Sequence, residues 1–567
     1  MKSEKRNCQN CKSEFLIEPD DFGFYEKMQV PPPTFCYPCR FQRRLTFMNE
    51  RALYKDVCDM CGKNIISIYS PDKDRIVYCY KCYWSDKWDG LKCGRAYDPN
   101  VPFLKQLHEL DKAVPHMPLE TQESTLVNSE YINHAATSRN CYLIYTADEC
   151  DNVLYSEILA YVKDSMDCTW LNSSELCYEG VNCARDSRVF FSDECVDSTD
   201  IYFSRMLRGC NNCFGCANLR KKSYYIFNQP YSKEEYLKKI KEMRLNTRSG
   251  IEEWGKKARE FTLTKPRKFM QSGSKSVNVS GEMVVQSKNS HDMFFVRGAE
   301  DCRFCQILTM NPSKDCYDYT IWGNNAQRVY EGMVVGEGAD TIKFCYGVWP
   351  NVLDVEYSMR IFSSSHIFGC SGLNRKNFCI LNKRYSESEY LELKQRIIKD
   401  MAENPYLDAQ DKVYKYGEFF PSEMSPFAYN ESYAMDFFPL SKNEALSRGY
   451  RWRDPDQSPY QATVLGSDLP NDINDVKDDI LQQIIECAKC KRPFKMVPME
   501  LQLLRKLNLP VSTKCPNCRH FERMLRMNPV RLWDGSCAKC GAAFRTCYSP
   551  ERPEIVYCEI CFNAEMV

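Results

Sequence analysis

The chain has few of the side chains and none of the short motifs on which the common enzyme classes depend. Only six of its 567 residues are histidine, and it contains no HExxH motif, no phosphate-cradling glycine loop, no dinucleotide fingerprint and no nucleophile elbow. These absences favour a non-enzymatic protein. A carbohydrate-active enzyme with acidic groups on an outer groove stays open as an alternative, since Asp and Glu are plentiful.

Long apolar runs and a net charge are also lacking. No stretch approaches the ~18 apolar residues of a membrane-spanning helix, and the N-terminal segment MKSEKRNCQN is polar. We therefore expect a cytoplasmic protein without a membrane partner. The 76 Lys and Arg balance the 76 Asp and Glu, so the total charge gives no argument for binding nucleic acid.

Cysteine, in contrast, is abundant, with 33 copies. Sixteen of them form CxxC pairs in two groups with a constant offset of 479, because Cys487 falls on Cys8 and Cys561 on Cys82. The first group comprises Cys8, Cys11, Cys36, Cys39, Cys58, Cys61, Cys79 and Cys82, and the second comprises Cys487, Cys490, Cys515, Cys518, Cys537, Cys540, Cys558 and Cys561. One module therefore stands at each end of the chain.

The spacing of these pairs predicts metal sites. Two cysteines separated by two residues can both reach one ion, and two such pairs complete the tetrahedral four-sulfur shell of structural zinc. Each module then holds two sites, so we expect four structural Zn ions in all. Free thiols reserved for zinc also favour a reducing cytoplasm over an oxidising compartment.

The residues around the first site carry a family resemblance. Cys8 to Arg44, with Phe15, Phe24-Tyr25, a proline run and CxxCRxxRR, resembles the family called the probable zinc-ribbon domain, and the whole chain resembles bacterial proteins built around it. The resemblance implies zinc binding and a treble-clef-like ribbon, without an assigned reaction. In the C-terminal copy, Glu522 replaces Arg43 and two leucines replace the aromatic pair, so a ligand of the basic face would bind at one end only.

Between the modules, apolar positions recur about every twelve residues. One series is Tyr142, Val153, Trp170, Tyr178, Val189, Tyr202, Phe214 and Tyr225, and a second is Phe294, Phe304, Tyr317, Val329, Phe344, Val355, Ile367 and Phe378. Short strands alternating with polar corners predict a mainly β protein with two tandem parallel β-helix-like solenoid lobes. Two strands per coil would give coils of about 24 residues.

The two lobes end in the same way. The segment FGCANLRKKSYYIFNQPYSKEEYL from Phe214 overlays FGCSGLNRKNFCILNKRYSESEYL from Phe368. Both contain a capping box, Ser232 to Glu235 and Ser386 to Glu389, which predicts a helix that covers the open end of each lobe.

Seven domains follow from these features. They are an N-terminal double zinc-ribbon module (1–95), a helical linker (96–135), lobe 1 with its capping helix (136–245), a basic linker (246–275), lobe 2 with its capping helix (276–400), an acidic extended segment that is either a solvated linker or docks on another surface (401–486) and a C-terminal double zinc-ribbon module (487–567). His108 and His116 in the helical linker are interpreted as packing residues.

Cysteines outside the zinc pairs are interpreted as small core side chains of the lobes. Cys210, Cys213 and Cys216 form a CxxCxxC run that superficially resembles an iron–sulfur motif, but no fourth ligand follows at the expected distance.

Basic residues beside the zinc pairs and between the lobes are candidates for contacting nucleic acid. They are Arg40, Arg43, Arg44, Arg51, Lys256, Lys257, Arg259, Lys265, Arg267, Lys268, Arg519, Arg523, Arg526 and Arg531. The function predicted is a zinc-stabilised binding or scaffold protein that contacts RNA or a ribonucleoprotein. A scaffold that binds protein partners alone is the alternative.

Overall fold

The computed structural model describes residues 2–272, 275–309, 312–348, 350–456 and 459–566. The predicted domain ranges also include residues 1, 273, 274, 310, 311, 349, 457, 458 and 567, which lie outside the described residues. Within the described part the chain is rich in strands, most of them in parallel sheets.

Twelve α-helices lie within the described residues. They are α1 (Pro19–Lys27), α2 (Tyr37–Leu45), α3 (Tyr80–Tyr83), α4 (Phe103–Ala113), α5 (Lys233–Glu242), α6 (Arg248–Leu263), α7 (Glu387–Glu403), α8 (Ala434–Phe437), α9 (Lys442–Ser447), α10 (Pro498–Leu507), α11 (Pro516–Met524) and α12 (Glu559–Glu565). Among the described residues, none of the helices is long and apolar enough to pass through a membrane.

Each terminal module, N-terminal and C-terminal, contains two short antiparallel hairpins and helices that begin at a cysteine. The strands are Glu4–Asn7, Glu14–Ile17, Tyr54–Val57, Asn64–Ser67, Ile485–Glu486, Pro493–Phe494, Trp533–Ser536 and Ala543–Thr546. Val556–Tyr557 pairs in parallel with Arg267–Lys268, which joins the C-terminal module to the start of lobe 2. Between the two cysteine pairs of the first site the structure places a helix, α1 at one end of the chain and α10 at the other.

Lobe 1 consists of short parallel strands that repeat every twelve residues. Its strands are Asn133–Ala136, Tyr145–Asp148, Asp151–Leu154, Glu157–Ala160, Lys163–Met166, Thr169–Asn172, Val181–Ala184, Ser187–Phe190, Thr199–Tyr202, Asn211–Phe214, Ser223–Ile226 and the antiparallel Gln229–Pro230. Asn133 pairs with Tyr145, Tyr145 with Glu157, and Glu157 with Thr169, so the interval is the same at each step. The predicted coil of about 24 residues is wrong, because the chain returns to the same sheet after twelve residues.

The short repeat depends on a bend at every third residue. Non-glycine residues with positive φ follow one another at this interval, for example Glu149, Asn152, Tyr155, Ile158 and Tyr161, with φ between 51° and 57°. L-residues adopt this left-handed conformation at a cost of roughly 1–2 kcal/mol each, so it persists only where other interactions offset that cost. The backbone hydrogen bonds between neighbouring repeats help to offset it, as in the bond that Asn152 N donates to Arg139 O at 3.0 Å.

Every third residue of lobe 1 is also buried, and these residues form its core. The core contains Cys141, Cys150, Cys168, Cys177, Cys183, Cys195, Cys210, Cys213 and Cys216 together with Val, Ile and Leu side chains. This placement agrees with the interpretation of these thiols as small core residues.

Lobe 2 has the same parallel pairing with slightly longer repeats. Its strands are Val277–Val285, Lys288–Arg297, Ala299–Glu300, Gln306–Leu308, Ser313–Tyr317, Ala326–Tyr330, Asp340–Lys343, Leu353–Glu356, Met359–Phe362, Ser365–Phe368, Ser371–Asn374, Asn377–Ile380 and Lys383–Arg384. The repeat is twelve residues from Phe294 to Gln306, fourteen from Ala299 to Ser313, thirteen from Ser313 to Ala326 and twelve again from Leu353 to Ser365.

Helices cover the ends of both lobes as the capping boxes predict. Ser232 accepts a hydrogen bond from Glu235 N at the start of α5, and Ser386 accepts one from Glu389 N at the start of α7. Tyr236 of α5 and Tyr390 of α7 are buried against the last strands of their lobes. The predicted helix in the linker that follows the first module is α4.

Residues 401–486 run along the surfaces of other parts of the chain, with the short strands Tyr406–Leu407, Val413–Tyr414 and Val464–Leu465. Phe419 and Phe420 pack on Phe47 of the N-terminal module. Leu469, Ile473, Val476 and Ile480 share one apolar cluster with α10 and with lobe 1. This acidic segment therefore docks on both halves of the molecule.

Candidate metal centres

The structure brings the sixteen predicted cysteines together in four groups of four. In each group the sulfur atoms all lie within 4.8 Å of one another. The groups are Cys8, Cys11, Cys36 and Cys39; Cys58, Cys61, Cys79 and Cys82; Cys487, Cys490, Cys515 and Cys518; and Cys537, Cys540, Cys558 and Cys561. Each group could hold one metal ion.

The local fold explains why the first cysteine pair of each site converges. Cys8 follows the first strand of a hairpin, and Lys12 in the left-handed conformation turns the chain so that Lys12 N donates to Cys8 O at 2.9 Å. Gly62, Lys491 and Gly541 have the same positive φ at the equivalent turns. This turn allows both sulfurs of a CxxC pair to face one point.

The second pair of each site lies at a helix start. Cys36, Cys79, Cys515 and Cys558 are the N-cap residues of α2, α3, α11 and α12. The N-terminus of a helix carries partial positive charge and favours an anionic sulfur. Hairpin and helix together therefore present four sulfurs to one volume.

Backbone N–H groups also stabilise the thiolates. Cys79 N donates to Cys58 Sγ and Cys515 N to Cys487 Sγ, both at 3.2 Å. Burial opposes ionisation of these thiols, but the backbone donors lower the pKa of Cys58 to about 7 and the pKa values of Cys487 and Cys537 to about 6. The donor set thus suits a cation that binds thiolates.

The basic residues after these cysteines are placed inside the molecule. Arg40, Arg43 and Arg44 of α2 are 2%, 3% and 0% exposed. Arg40 Nε lies 2.8 Å from Asp318 Oδ2, and Arg44 Nη1 lies 3.2 Å from Asp318 Oδ1. Arg43 binds Glu331 of lobe 2 and Glu418 of the acidic segment at 2.6 and 3.0 Å. These guanidinium groups attach the N-terminal module to lobe 2.

The C-terminal module is attached to lobe 1 by the equivalent residues. Arg519 Nε and Arg523 Nη1 lie 3.2 and 2.7 Å from the two oxygens of Asp167. Arg526 Nη1 lies 3.3 Å from Glu179 Oε2. Since the constant offset of 479 places Arg519 and Arg523 on Arg40 and Arg44, the same pair of contacts occurs at both ends. Through the helix that follows its first site, each module therefore contacts the lobe that is farther from it in sequence. Other residues of the modules contact the nearer lobe, as Glu50 contacts Thr146 and Arg545 contacts Asp292.

Apolar contacts accompany the ion pairs. Phe24 of α1 stacks on Tyr317 with ring centroids 3.8 Å apart. At the other end, Leu503 and Leu504 of α10 join Met166 and Tyr178 in one buried cluster. The replacement of an aromatic pair by two leucines therefore changes the packing partners without removing the contact.

The remaining candidates for nucleic acid have several environments. Arg51 Nη2 contacts Asp436 Oδ1 at 2.8 Å and Arg51 Nη1 contacts Asn517 Oδ1 at 2.7 Å, so the two terminal modules meet here. Arg267 and Lys268 are buried. Lys256, Lys257, Arg259 and Arg531 are exposed, and Lys265 is half-buried. Seven of the fourteen candidates are buried and so are not accessible to nucleic acid, namely Arg40, Arg43, Arg44, Arg267, Lys268, Arg519 and Arg523.

The sequence did not indicate the acidic residues that form ion pairs with these arginines. Asp167, Asp318, Glu331 and Glu418 lie far from the cysteines in sequence, and nothing in their local pattern distinguishes them from exposed acids. Asp167 and Asp318 do each precede a threonine by two residues at corresponding places in the lobes. A comparison of the two duplicated halves is the one signal that would have indicated them.

A fifth group contains no cysteine. Glu157 of lobe 1, Asp436 of α8 and His520 of α11 offer ligand atoms within 4.8 Å of one another. Burial and the neighbouring Asp436 raise the pKa of Glu157 to about 8, whereas burial lowers the pKa of His520 to about 4. The sequence analysis did not identify this group.

The other histidines and the CxxCxxC run agree with packing roles. His116 is buried, with its ring nitrogens 2.9 Å from Tyr69 Oη and 3.0 Å from Asp111 O. Cys210, Cys213 and Cys216 belong to the core of lobe 1 and to none of the metal-capable groups found among the described residues.

Comparison with protein families gives no matching family. No curated protein matches the chain either.

Proposed function

We propose that the chain is a zinc-stabilised scaffold protein whose terminal modules are treble-clef-like members of the probable zinc-ribbon family. The support for zinc is the donor set, because four cysteine sulfurs at the junction of a hairpin and a helix form its preferred structural shell. Four thiolates leave no coordination position for substrate, so the four ions serve architecture. The many free thiols among the described residues suit a reducing compartment such as the cytoplasm.

Each lobe is, in this proposal, a narrow β-helical solenoid with a coil of twelve to fourteen residues. Its support is the parallel pairing of residues one repeat apart and the single buried column at every third position. Stacked coils of this kind provide long outer surfaces for partners.

The contact of both modules with the lobes by the same pair of arginines carries the scaffold proposal. Asp318 receives Arg40 and Arg44, and Asp167 receives Arg519 and Arg523. Buried charges that pair with each other are unavailable to an external phosphate. The zinc modules therefore hold the scaffold together, and a partner has to bind to an outer surface.

RNA or a ribonucleoprotein is the partner class that an exposed basic surface on α6 favours. Lys256, Lys257 and Arg259 are exposed on this helix. Within the described residues, Lys256 and Arg259 form no salt bridge, and Lys257 pairs only with Glu253 of the same helix. Phe261 packs on Phe227 with centroids 5.4 Å apart, so it contributes to attaching the helix and not to stacking on bases. Binding would then be mainly electrostatic.

A binding assay with single-stranded RNA tests this proposal. The triple variant K256A/K257A/R259A should lose at least about tenfold in affinity at low salt and show a weaker dependence on salt. The matched control R396A/K399A removes two exposed basic residues from α7, the capping helix of lobe 2, and should bind as the unaltered protein does.

Recovery of partners from the protein's own cells separates the alternatives. Bound material that contains RNA and is released by moderate salt supports the RNA proposal. Protein partners retained without nucleic acid and independent of salt would indicate a protein-only scaffold, and release of sugars from a polysaccharide would indicate a carbohydrate-active enzyme.

A further inference from the structure

Three parts of the chain meet at one buried cluster that contains no cysteine. Glu157 belongs to a strand of lobe 1, Asp436 to α8 of the acidic segment and His520 to α11 of the C-terminal module. The side chains of Glu157 and Asp436 are each 2% exposed and that of His520 is 6% exposed. Three ionisable side chains from distant segments thus share one volume that is shielded from solvent.

The atoms that face this volume lack hydrogen-bond partners. Both carboxylate oxygens of Glu157, Oδ2 of Asp436 and Nε2 of His520 are buried and make no hydrogen bond among the described residues. An unpaired buried polar atom costs roughly 1–3 kcal/mol, and more when it is charged. Four such atoms in one cluster require a common partner.

The distances suit a small cation as that partner. One ligand atom from each of the three residues lies within 4.8 Å of the other two, and His520 Nε2 lies 3.3 Å from Asp436 Oδ2. Ligands at about 2.0–2.2 Å from one metal ion are roughly 3–3.5 Å from each other. Arg51 contacts only Oδ1 of Asp436, so Oδ2 stays free to coordinate.

Comparison of the two junctions shows that these ligands are specific to one of them. Phe41 occupies the place of His520 under the constant offset of 479. Gln306 occupies the place of Glu157, since Gln306 pairs with Thr320 two residues after Asp318, as Glu157 pairs with Thr169 two residues after Asp167. The N-terminal junction therefore has a neutral amide and an apolar ring where the C-terminal junction has a carboxylate and an imidazole.

We propose that Glu157, Asp436 and His520 form a fifth metal site, which binds a divalent transition-metal cation such as Zn²⁺ or Mn²⁺. Two carboxylates and one imidazole are ligands that these ions accept, and they differ in chemistry from the four cysteine groups. The ion gives each unpaired atom a partner. It also connects lobe 1, the acidic segment and the C-terminal module at one point.

Metal content of the full-length protein tests the site. After saturation with zinc and removal of loosely bound ions, the unaltered protein should contain five ions per chain, one for each of the five groups. The variant E157Q/H520F gives the C-terminal junction the residues of the N-terminal one, and it should contain four ions. A control variant, E50Q, removes a neighbouring buried carboxylate that pairs with His134 and should keep five.

X-ray absorption at the zinc edge provides a second readout on the unaltered protein, which remains available if the double variant does not fold. A fifth site adds oxygen and nitrogen neighbours to a shell that is otherwise sulfur alone. Binding of Mn²⁺ by protein in which only the four cysteine groups have been loaded with zinc, lost in E157Q/H520F, would give the same answer.

The proposal is overturned if the zinc-saturated protein shows only sulfur neighbours, or if E157Q/H520F retains the same number of ions as the unaltered protein. The first result would mean that Glu157 holds a proton in place of a metal. Neither result affects the four cysteine sites, whose sulfur signal is measured separately.

Discussion

Two aspartates, Asp167 and Asp318, organise the contacts between the terminal modules and the lobes. Each forms ion pairs with two arginines that are four residues apart on one helix, so a single carboxylate fixes both the position and the rotation of that helix. The arginines were identified from the sequence, but their role was not. A basic residue beside a zinc pair looks the same in sequence whether its partner is a phosphate or a carboxylate from a distant strand.

Removal of either carboxylate should therefore destabilise its own junction. Loss of the carboxylate leaves one buried guanidinium group, that of Arg40 or Arg523, without a counter-charge, since Arg44 and Arg519 also contact Glu331 and Glu500. D318N and D167N should therefore each lower the free energy of unfolding by about 3–5 kcal/mol. Urea unfolding measures the change. The control D454N alters an acid that is 69% exposed, and it should change stability by less than about 1 kcal/mol. Equal effects of all three variants would contradict the buried role.

At the scale of elements, the repeating strands were partly predictable. Apolar residues at intervals near twelve indicated strand after strand, and the capping boxes at Ser232 and Ser386 indicated both covering helices. The length of the repeat was not predictable, because every third residue adopts a left-handed conformation that non-glycine residues rarely show. Arg, Tyr, Glu and Ile occupy such positions, and their identity gives no signal of the turn.

Asp186 in the core of lobe 1 should make stability depend on pH. Burial raises its pKa to about 7, against hydrogen bonds from Ser198 N and Ala184 N that lower it. Because the folded value lies above the unfolded value of about 3.9, the folded state binds the proton more tightly. Stability is greatest below about pH 4 for this group and is lost as the pH rises through 7.

Urea unfolding between pH 4 and 7 tests this dependence. D186S introduces the residue found one repeat away at Ser174 and Ser198, and it should lose less stability than the unaltered protein as the pH rises. Arg185 lowers the pKa of Asp197, so D197N should leave the dependence in this window unchanged. Parallel curves for D186S and the unaltered protein would show that Asp186 does not titrate there.

On the scale of the whole molecule, the sequence indicated two similar halves but not how their parts are arranged in space. Duplicated cysteines and duplicated lobe ends indicated a chain with similar halves. The docking of the N-terminal module on lobe 2 and the C-terminal module on lobe 1 depends on contacts between residues far apart in the chain. Arg40 and Asp318, for example, are 278 positions apart. Local patterns carry no information about such contacts.

Loss of metal from one module should therefore loosen the distant lobe. C39S removes a sulfur from the N-terminal module and should raise hydrogen exchange in lobe 2 around residues 313–330, where Asp318 and Tyr317 contact that module. C518S should raise it in lobe 1 around residues 154–178. C93S alters a cysteine outside the four groups and should change neither. Increased exchange in the lobe nearer in sequence, and not in the farther one, would contradict this docking of each module on the more distant lobe, here called the crossed docking.

This crossed docking also sets an order on synthesis. The face of lobe 1 around Asp167 emerges from the ribosome long before Arg519 and Arg523, which are to cover it. Arg40 and Arg44, in contrast, are synthesised before Asp318, with which they form ion pairs. Asp318 can therefore be covered during translation, whereas Asp167 and the apolar face beside it stay uncovered until the C-terminal module has been synthesised.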